Sequence, residues 1–328
     1  MNRIAGVLVL LVGLYAALYA TRPSALDSSN LIDVGNRQGF YGIMAIGVGV
    51  VMIAGGIDLS IGAVVALAAT TFGVLLKNGV HPYSAFVITL MGGTSIGFLH
   101  GILVTKFRLQ AFLITLCGLF VYRGLARLLT NDLQVGMNAI LREKPSFVPS
   151  VDWLRFYLTG HEADGKLAFP AMLVLLGVIA VVVGLILQKT SYGRYWYAVG
   201  YSEQAARYAG VNVDRQRIVT FMIGSTLAAL AGILLLLKDS SVKPDNAGMA
   251  YELEAITGAV LGGVSLRGGS GTALGIVLGA AVLPLLKNLI IFLEIPSAVE
   301  PVVIGTTLLL GTTVDELLRK RSSARKSG

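Results

Sequence analysis

Apolar runs of about twenty residues recur along this chain with few charges inside them, and twenty residues of α-helix rise about 30 Å, the thickness of a bilayer's hydrocarbon core. Ten candidates are countable, with approximate spans Ile4–Ala20, Gln38–Ala54, Ser60–Leu76, Tyr83–Thr105, Leu109–Leu129, Leu167–Gln188, Ile218–Leu237, Tyr251–Ser265, Thr272–Phe292 and Val302–Val314. Within hydrocarbon every backbone N–H and C=O needs an internal partner, which leaves helices or a closed barrel. Barrel strands alternate apolar and polar residues over about ten positions, whereas Leu173–Leu187 is apolar almost throughout. The expected fold is all-α: a single domain over residues 1–328, embedded in the lipid bilayer, with about ten transmembrane helices. Only 13% of residues are charged, against about 25% in an average soluble domain.

Charge sets the expected orientation. With the N-terminus inside and ten crossings, inner segments carry Arg3, Lys106, Arg108, Lys189, Arg194, Arg207, Arg215, Arg217, Arg267 and the basic cluster Arg319–Lys326, fourteen cations in all. Outer segments carry nine: Arg22, Arg37, Lys77, Arg142, Lys144, Arg155, Lys166, Lys238 and Lys243. The outer loops are also the longer ones, so the positive-inside rule favours both termini in the cytoplasm. The net charge of +8 follows from that topology, and the scattered cations form no solvated basic domain for nucleic acid. Arg3 before an apolar run, with small residues near Ala20, has the outline of a cleavable leader, but nothing soluble follows and the segment is expected to be retained. The lone Cys117 permits no intrachain disulfide and is expected to be a buried thiol. Residues 131–166, facing outward, read as an irregular surface with one interfacial helix, suited to contact with a solute receptor or to simple connection.

Several residues inside the apolar runs constrain packing. Gly93, Gly97 and Gly101 fall four apart, as do Gly271, Gly275 and Gly279, giving smooth faces where a neighbouring backbone approaches closely. His100 lacks a ligand-spaced partner, so a buried hydrogen-bonded residue is expected rather than a metal ligand. Arg123 lies too far along its run to escape the bilayer without facing the bundle interior or snorkelling outward. Gly55-Gly56-Ile57-Asp58-Leu59-Ser60-Ile61-Gly62 and Gly262-Gly263-Val264-Ser265-Leu266-Arg267-Gly268-Gly269 share an order of glycines and small polar residues. Interrupted segments at related positions mark where backbone polar groups line a cavity in transporters. Gly55, Gly56, Asp58, Ser60, Gly262, Gly263 and Ser265 are therefore candidate path or gate residues, with Asp58 equally suited to capping the helix that begins near Ser60.

Residues 189–217 form an inner loop with a small charged helix of its own. Ser202 can cap it, Glu203 suits its positive N-terminal end, Gln204, Ala205, Ala206 and Arg207 continue it, and Gly210 supplies a left-handed exit. Such a helix on an otherwise oil-soluble protein suits docking of a soluble partner. The stretch Tyr197–Val213, with Ala54–Gly62, Gln110–Leu116 and Tyr251–Gly269, resembles in the same order the permease subunits of bacterial ATP-binding-cassette monosaccharide importers of the ribose/xylose/galactofuranose type, over roughly Asn36–Asp315. Where the family pattern has an asparagine before the docking helix, this chain has Tyr201-Ser202.

The resemblance implies a ten-helix permease of the bacterial cytoplasmic (inner) membrane that pairs with itself or a sister subunit. It implies a cytoplasmic ATP-binding subunit, which uses ATP and Mg and receives Ser202–Arg207 and Gly210 as a coupling helix, and a periplasmic or surface sugar-binding protein. The chain itself is expected to bind no cofactor or metal and to catalyse nothing. It lacks the phosphate loop G-x-x-x-x-G-K-[ST], Gly263–Ser270 having Gly269 where lysine is required. A nucleoside or amino-acid permease of the same machinery and an ion-coupled secondary transporter using Asp58 are the competing readings.

Overall fold

The structure, a computed structural model, describes residues 3–21, 26–162 and 166–296, with isolated positions up to 309. Thirteen α-helices are named among them. Five are long and apolar enough to cross a membrane: α4 (Pro82–Thr105), α5 (Ala111–Thr130), α8 (Ala171–Lys189), α11 (Val213–Asp239) and α13 (Ala273–Phe292). Shorter apolar stretches lie in α1 (Arg3–Thr21) and α3 (Ile61–Lys77). α2 (Ser28–Ile53) has 26 residues, about 39 Å of helix. It carries Asn36, Arg37 and Gln38 near its start, where Asn36 is buried and hydrogen-bonded and Arg37 is part-exposed and paired with Asp33 at 2.8 Å.

α11 and α2 form the centre. α4 lays its glycine face on α11: a methyl group at Gly93, Gly97 or Gly101 would overlap Ser225, Phe221 or Ile218. Gly232 of α11 meets the backbone of α3 in the same way, and Gly39 of α2 meets that of α8 at Met172. Such contacts bring backbones together where no hydrophobic effect operates between helices in lipid. α1 packs on α13 through Leu11, Leu14, Leu18, Val282 and Leu285. α5 and α8 turn Phe120, Leu128, Val174 and Val181 outward to lipid. Cys117 shares that outward face of α5 and is exposed, not buried as expected, because the inner face is taken by Thr115, Gly118 and Tyr122.

At one end of the bundle the β1 pair Val135–Gly136 joins β2, Ser241–Val242, in an antiparallel ladder. Beside it lie α6 (Met137–Glu143) and α7 (Val148–Thr159), so residues 131–166 hold two helices rather than one. Asn36 stitches this end to the bundle, donating to the Thr159 carbonyl at 2.6 Å and accepting from the Met172 N–H at 2.9 Å. The opposite end gathers α9 (Ser191–Tyr201), α10 (Glu203–Tyr208) and the 262–271 turn. The expected crossing over Tyr251–Ser265 is corrected: α12 (Tyr251–Leu261) has eleven residues, about 16 Å, half a hydrocarbon core. Gly271 precedes α13 rather than joining its glycine face. The tenth expected run, Val302–Val314, lies largely outside the described residues.

Candidate functional site

At the α9–α10 end, Ser202 accepts from the Ala205 N–H at 3.2 Å and starts α10. Gly210 ends it at φ 79°, its N–H meeting the Arg207 carbonyl while Val211 reaches Ala206, the paired bonds of a glycine-terminated helix. Asn212 then caps α11 through the Arg215 N–H at 3.0 Å. Glu203 bridges Arg207 at 3.0 Å and Arg217 at 2.8 Å, and Arg207 also holds Asp214 at 2.7 Å. Those two carboxylates, Asp214 foremost, hold the Arg207 guanidinium above the usual arginine range. Arg207 is thus engaged within the loop. Ala206 corrects the sequence reading of a direct contact: it is 4% exposed, packed with Val199 and Val213, because the helix must bury one residue to seat on α9 and α11. The outward face is Gln204, Ala205 and Tyr208, with Tyr201 beside it; the tyrosines are 83% and 87% exposed. The sequence reading missed both. Two exposed aromatics bracketing a capped helix are the signal that was present.

Below this loop three glycine segments converge. The Gly269 N–H donates to the Ile53 carbonyl at 2.9 Å, Gly200 lies against both, and a methyl at Gly268 would press on Gly55 and Gly200. The Tyr197 hydroxyl donates to the Gly271 carbonyl at 2.7 Å. The two glycine-rich stretches therefore meet, but shifted by one residue from their sequence alignment. α2 and α12 end alike, with Gly55 and Gly263 as the left-handed residues, at φ 79° and 89°. Gly262 packs on Gly275, and Ser265 accepts from the Arg267 N–H inside the turn, so these two serve the α12–α13 corner. Gly55 and Gly56 instead line a cavity of about 720 Å³ bounded by Arg108, Gln110, Glu203, Arg207 and Arg217.

From there residues 54–60 climb into the bundle without helix. Thr115 of α5 donates to the Ile57 carbonyl at 3.2 Å. Asp58, fully buried, accepts from the Ser60 N–H at 2.8 Å and its hydroxyl at 2.6 Å, an Asx turn just ahead of α3 rather than the expected cap on it, since Ser60 is the N-cap position. Ser60 is equally buried, so neither lines an open path. Within electrostatic reach of Asp58 lie His100 and Tyr122, hydrogen-bonded to each other at 2.9 Å.

A second non-helical segment, 243–250, descends from the opposite end. Gly73 of α3 touches Val135 of the β ladder, while Gly62, eleven residues earlier on the same helix, touches the Gly248 carbonyl. The segment therefore dips about 16 Å into the bundle. Arg123 donates to the Ala247 and Gly248 carbonyls and lies within electrostatic reach of Glu252. Irregular backbone at membrane depth survives only where protein or an aqueous cavity satisfies it, and Arg123 does so for this tip. Lys243-Pro244-Asp245-Asn246-Ala247-Gly248, a turn-rich run between apolar helices, is the local signal for this interruption.

Two interrupted segments entering from opposite ends, the second resting on the first turn of the helix that follows the first, with a separate capped helix at one end, is the layout of a transporter. A family model, the branched-chain amino acid transport system / permease component, matches residues 30–311. The chain belongs to this family. The permease is 32% identical to the ribose import permease protein RbsC of Escherichia coli (strain K12), over 94% of this chain and 92% of that one. RbsC of Bacillus subtilis (strain 168) is 31% identical over 92% and 88%, and the autoinducer 2 import system permease protein LsrC of Salmonella typhi 33% over 97% and 87%. No solved structure matches the permease. It is a multi-pass protein of the inner membrane and a transporter subunit rather than an enzyme.

Proposed function

We propose that this permease is the transmembrane subunit of an ATP-binding-cassette importer that carries a monosaccharide, a pentose or hexose, into the cytoplasm. A separate cytoplasmic subunit hydrolyses ATP with Mg, a second permease copy or sister completes the pathway, and a periplasmic or surface sugar-binding protein delivers the solute. The observation that carries the sugar reading is the near full-length match to import permeases named for ribose and autoinducer 2. The family description, which names branched-chain amino acids, favours the alternative substrate class. Uptake of labelled D-ribose, D-xylose, D-galactose and L-leucine by cells producing the complete importer separates the two. At least one sugar should accumulate and leucine should not. Inactivating the ATPase should stop accumulation with the proton gradient intact, and accumulation that persists would favour an ion-coupled transporter.

Both termini and α10 lie in the cytoplasm on this reading, across ten membrane crossings, one of them made jointly by the non-helical 243–250 segment and α12. In a Cys117→Ser background, Lys166→Cys should react with an impermeant maleimide added outside cells, and Gln204→Cys only after permeabilisation. Equal labelling of both from outside would overturn the orientation.

The face of α10 that the ATPase receives is Gln204, Ala205 and Tyr208. Ala205→Trp should leave the purified permease folded, since the side chain points outward, and reduce ATPase co-purification about fivefold or more, an overpacking cost of about 1–3 kcal/mol. Ala206→Trp should instead loosen the loop itself, seen as faster proteolysis after Arg207. Undiminished co-purification of the Ala205 variant would remove the contact from α10.

A further inference from the structure

At the β-ladder end, on the side of α12 away from Arg123, a cavity of about 300 Å³ lies between α2, α11, α12 and α13. Its polar lining is Arg37, Tyr41, Lys238, Asp239, Tyr251 and Lys287. Each cation there is matched to an anion: Arg37 to Asp33 at 2.8 Å, Lys238 to Asp239 at 3.3 Å, Lys287 to Glu254 at 2.9 Å. The rings of Phe40, Tyr41 and Tyr251 meet edge to face at 5.3 to 5.6 Å, and the Lys287 ammonium sits 4.9 Å from the Tyr41 ring.

We infer that this cavity is a binding site for a single neutral sugar ring. Each cation of the lining is already held by a carboxylate, Asp33 and Glu254 reaching it from outside the lining, so none is left over for an ionic ligand. A polyol needs what is present: closely spaced donors and acceptors for hydroxyls on both sides, and aromatic carbon against which the apolar C–H face of a pyranose or furanose rests. The volume of about 300 Å³ has room for one monosaccharide ring. Tyr251 opens α12 immediately after the 243–250 segment, so a ring seated against it touches the element whose tip Arg123 and Gly62 hold. The site thus stands at the end where solute is delivered, one residue from the interrupted backbone, and extends the sugar-import reading on which it rests.

Saturation-transfer NMR on the purified permease–ATPase complex in nanodiscs, without receptor protein, tests it with D-ribose, D-xylose and D-galactose as probes and L-leucine as control. Transfer to at least one sugar is expected, with none to leucine. Asp239→Asn, which keeps shape and removes one acceptor charge, and Tyr251→Leu, which removes a ring, should each weaken it about fivefold or more, against unchanged monodispersity of the complex. Equal transfer in wild type and a monodisperse Asp239→Asn variant overturns the site, as does absence of transfer with a phospholipid headgroup occupying the cavity. ATP-driven uptake of the same sugars is measured in parallel. Sugar uptake with no effect of either variant on binding rejects the cavity alone, and leucine uptake without sugar uptake rejects the import reading beneath it.

Discussion

Gly62→Val is expected to abolish solute uptake and to lower the melting temperature of the solubilised permease, while Gly92→Val leaves both near wild type. A side chain at Gly62 has nowhere to go: its first carbon would overlap the Gly248 carbonyl and the Glu252 carboxylate. Both obstacles belong to the 243–250 segment and the start of α12, which Arg123 already holds, so the strain cannot be relieved by one flexible side chain swinging away. Overpacking of this kind costs about 3 kcal/mol where neighbours are backbone. Gly92 lies on the outward face of α4 with nothing within 4 Å, so valine there tests insertion of a β-branched residue without the clash. Thermal unfolding followed by size-exclusion fluorescence, alongside uptake, gives both readouts. Normal uptake by Gly62→Val would mean that the first turn of α3 does not meet the 243–250 segment as described.

The second large effect is expected at Arg123→Leu, with uptake falling about a hundredfold or more. The guanidinium satisfies two carbonyls of the descending segment and compensates Glu252. Removing it leaves those carbonyls unpaired, at about 1–3 kcal/mol each, and a carboxylate uncompensated at membrane depth. The double variant Arg123→Leu, Glu252→Gln should recover part of the lost thermal stability, since one buried charge is gone, while uptake stays low because the segment's tip is still unheld. Full stability in the single variant would show that the carbonyls find other partners and that Arg123 merely snorkels.

Helix positions were legible because the bilayer imposes one length and one polarity on every crossing, and the runs at Tyr83–Thr105 and Thr272–Phe292 differ from α4 and α13 by only one residue at the start. Tyr251–Ser265 was misread because hydropathy reports how apolar a run is, not where its helix stops. Gly262 and Gly263 stop it early, and only the packing of Gly262 on Gly275 explains why. The start, exit and charges of α10 were readable from Ser202, Glu203 and Gly210, which act on their own neighbours in sequence. Which face points outward was not, since Ala205 and Ala206 are chemically identical and are told apart only by Val199 and Val213. Arg123 could be placed in the interior by cost alone, but its partners lie 124 and 125 residues away, beyond any local pattern.

The meeting of Gly200, Ile53 and Gly268–Gly269 has a mechanical consequence. Side-chain contacts carry slack, because a pushed leucine can change rotamer and absorb an ångström of displacement without passing it on. Here main chain rests on main chain, tied by one N–H to carbonyl bond, and no rotamer exists to flex. α10 is itself rigidly keyed to α9 and α11 by Ala206 and the Glu203–Arg207–Asp214–Arg217 charges. A tilt imposed on that short helix is therefore expected to reach the end of α2 through main-chain contact, with less loss than a side-chain contact would allow.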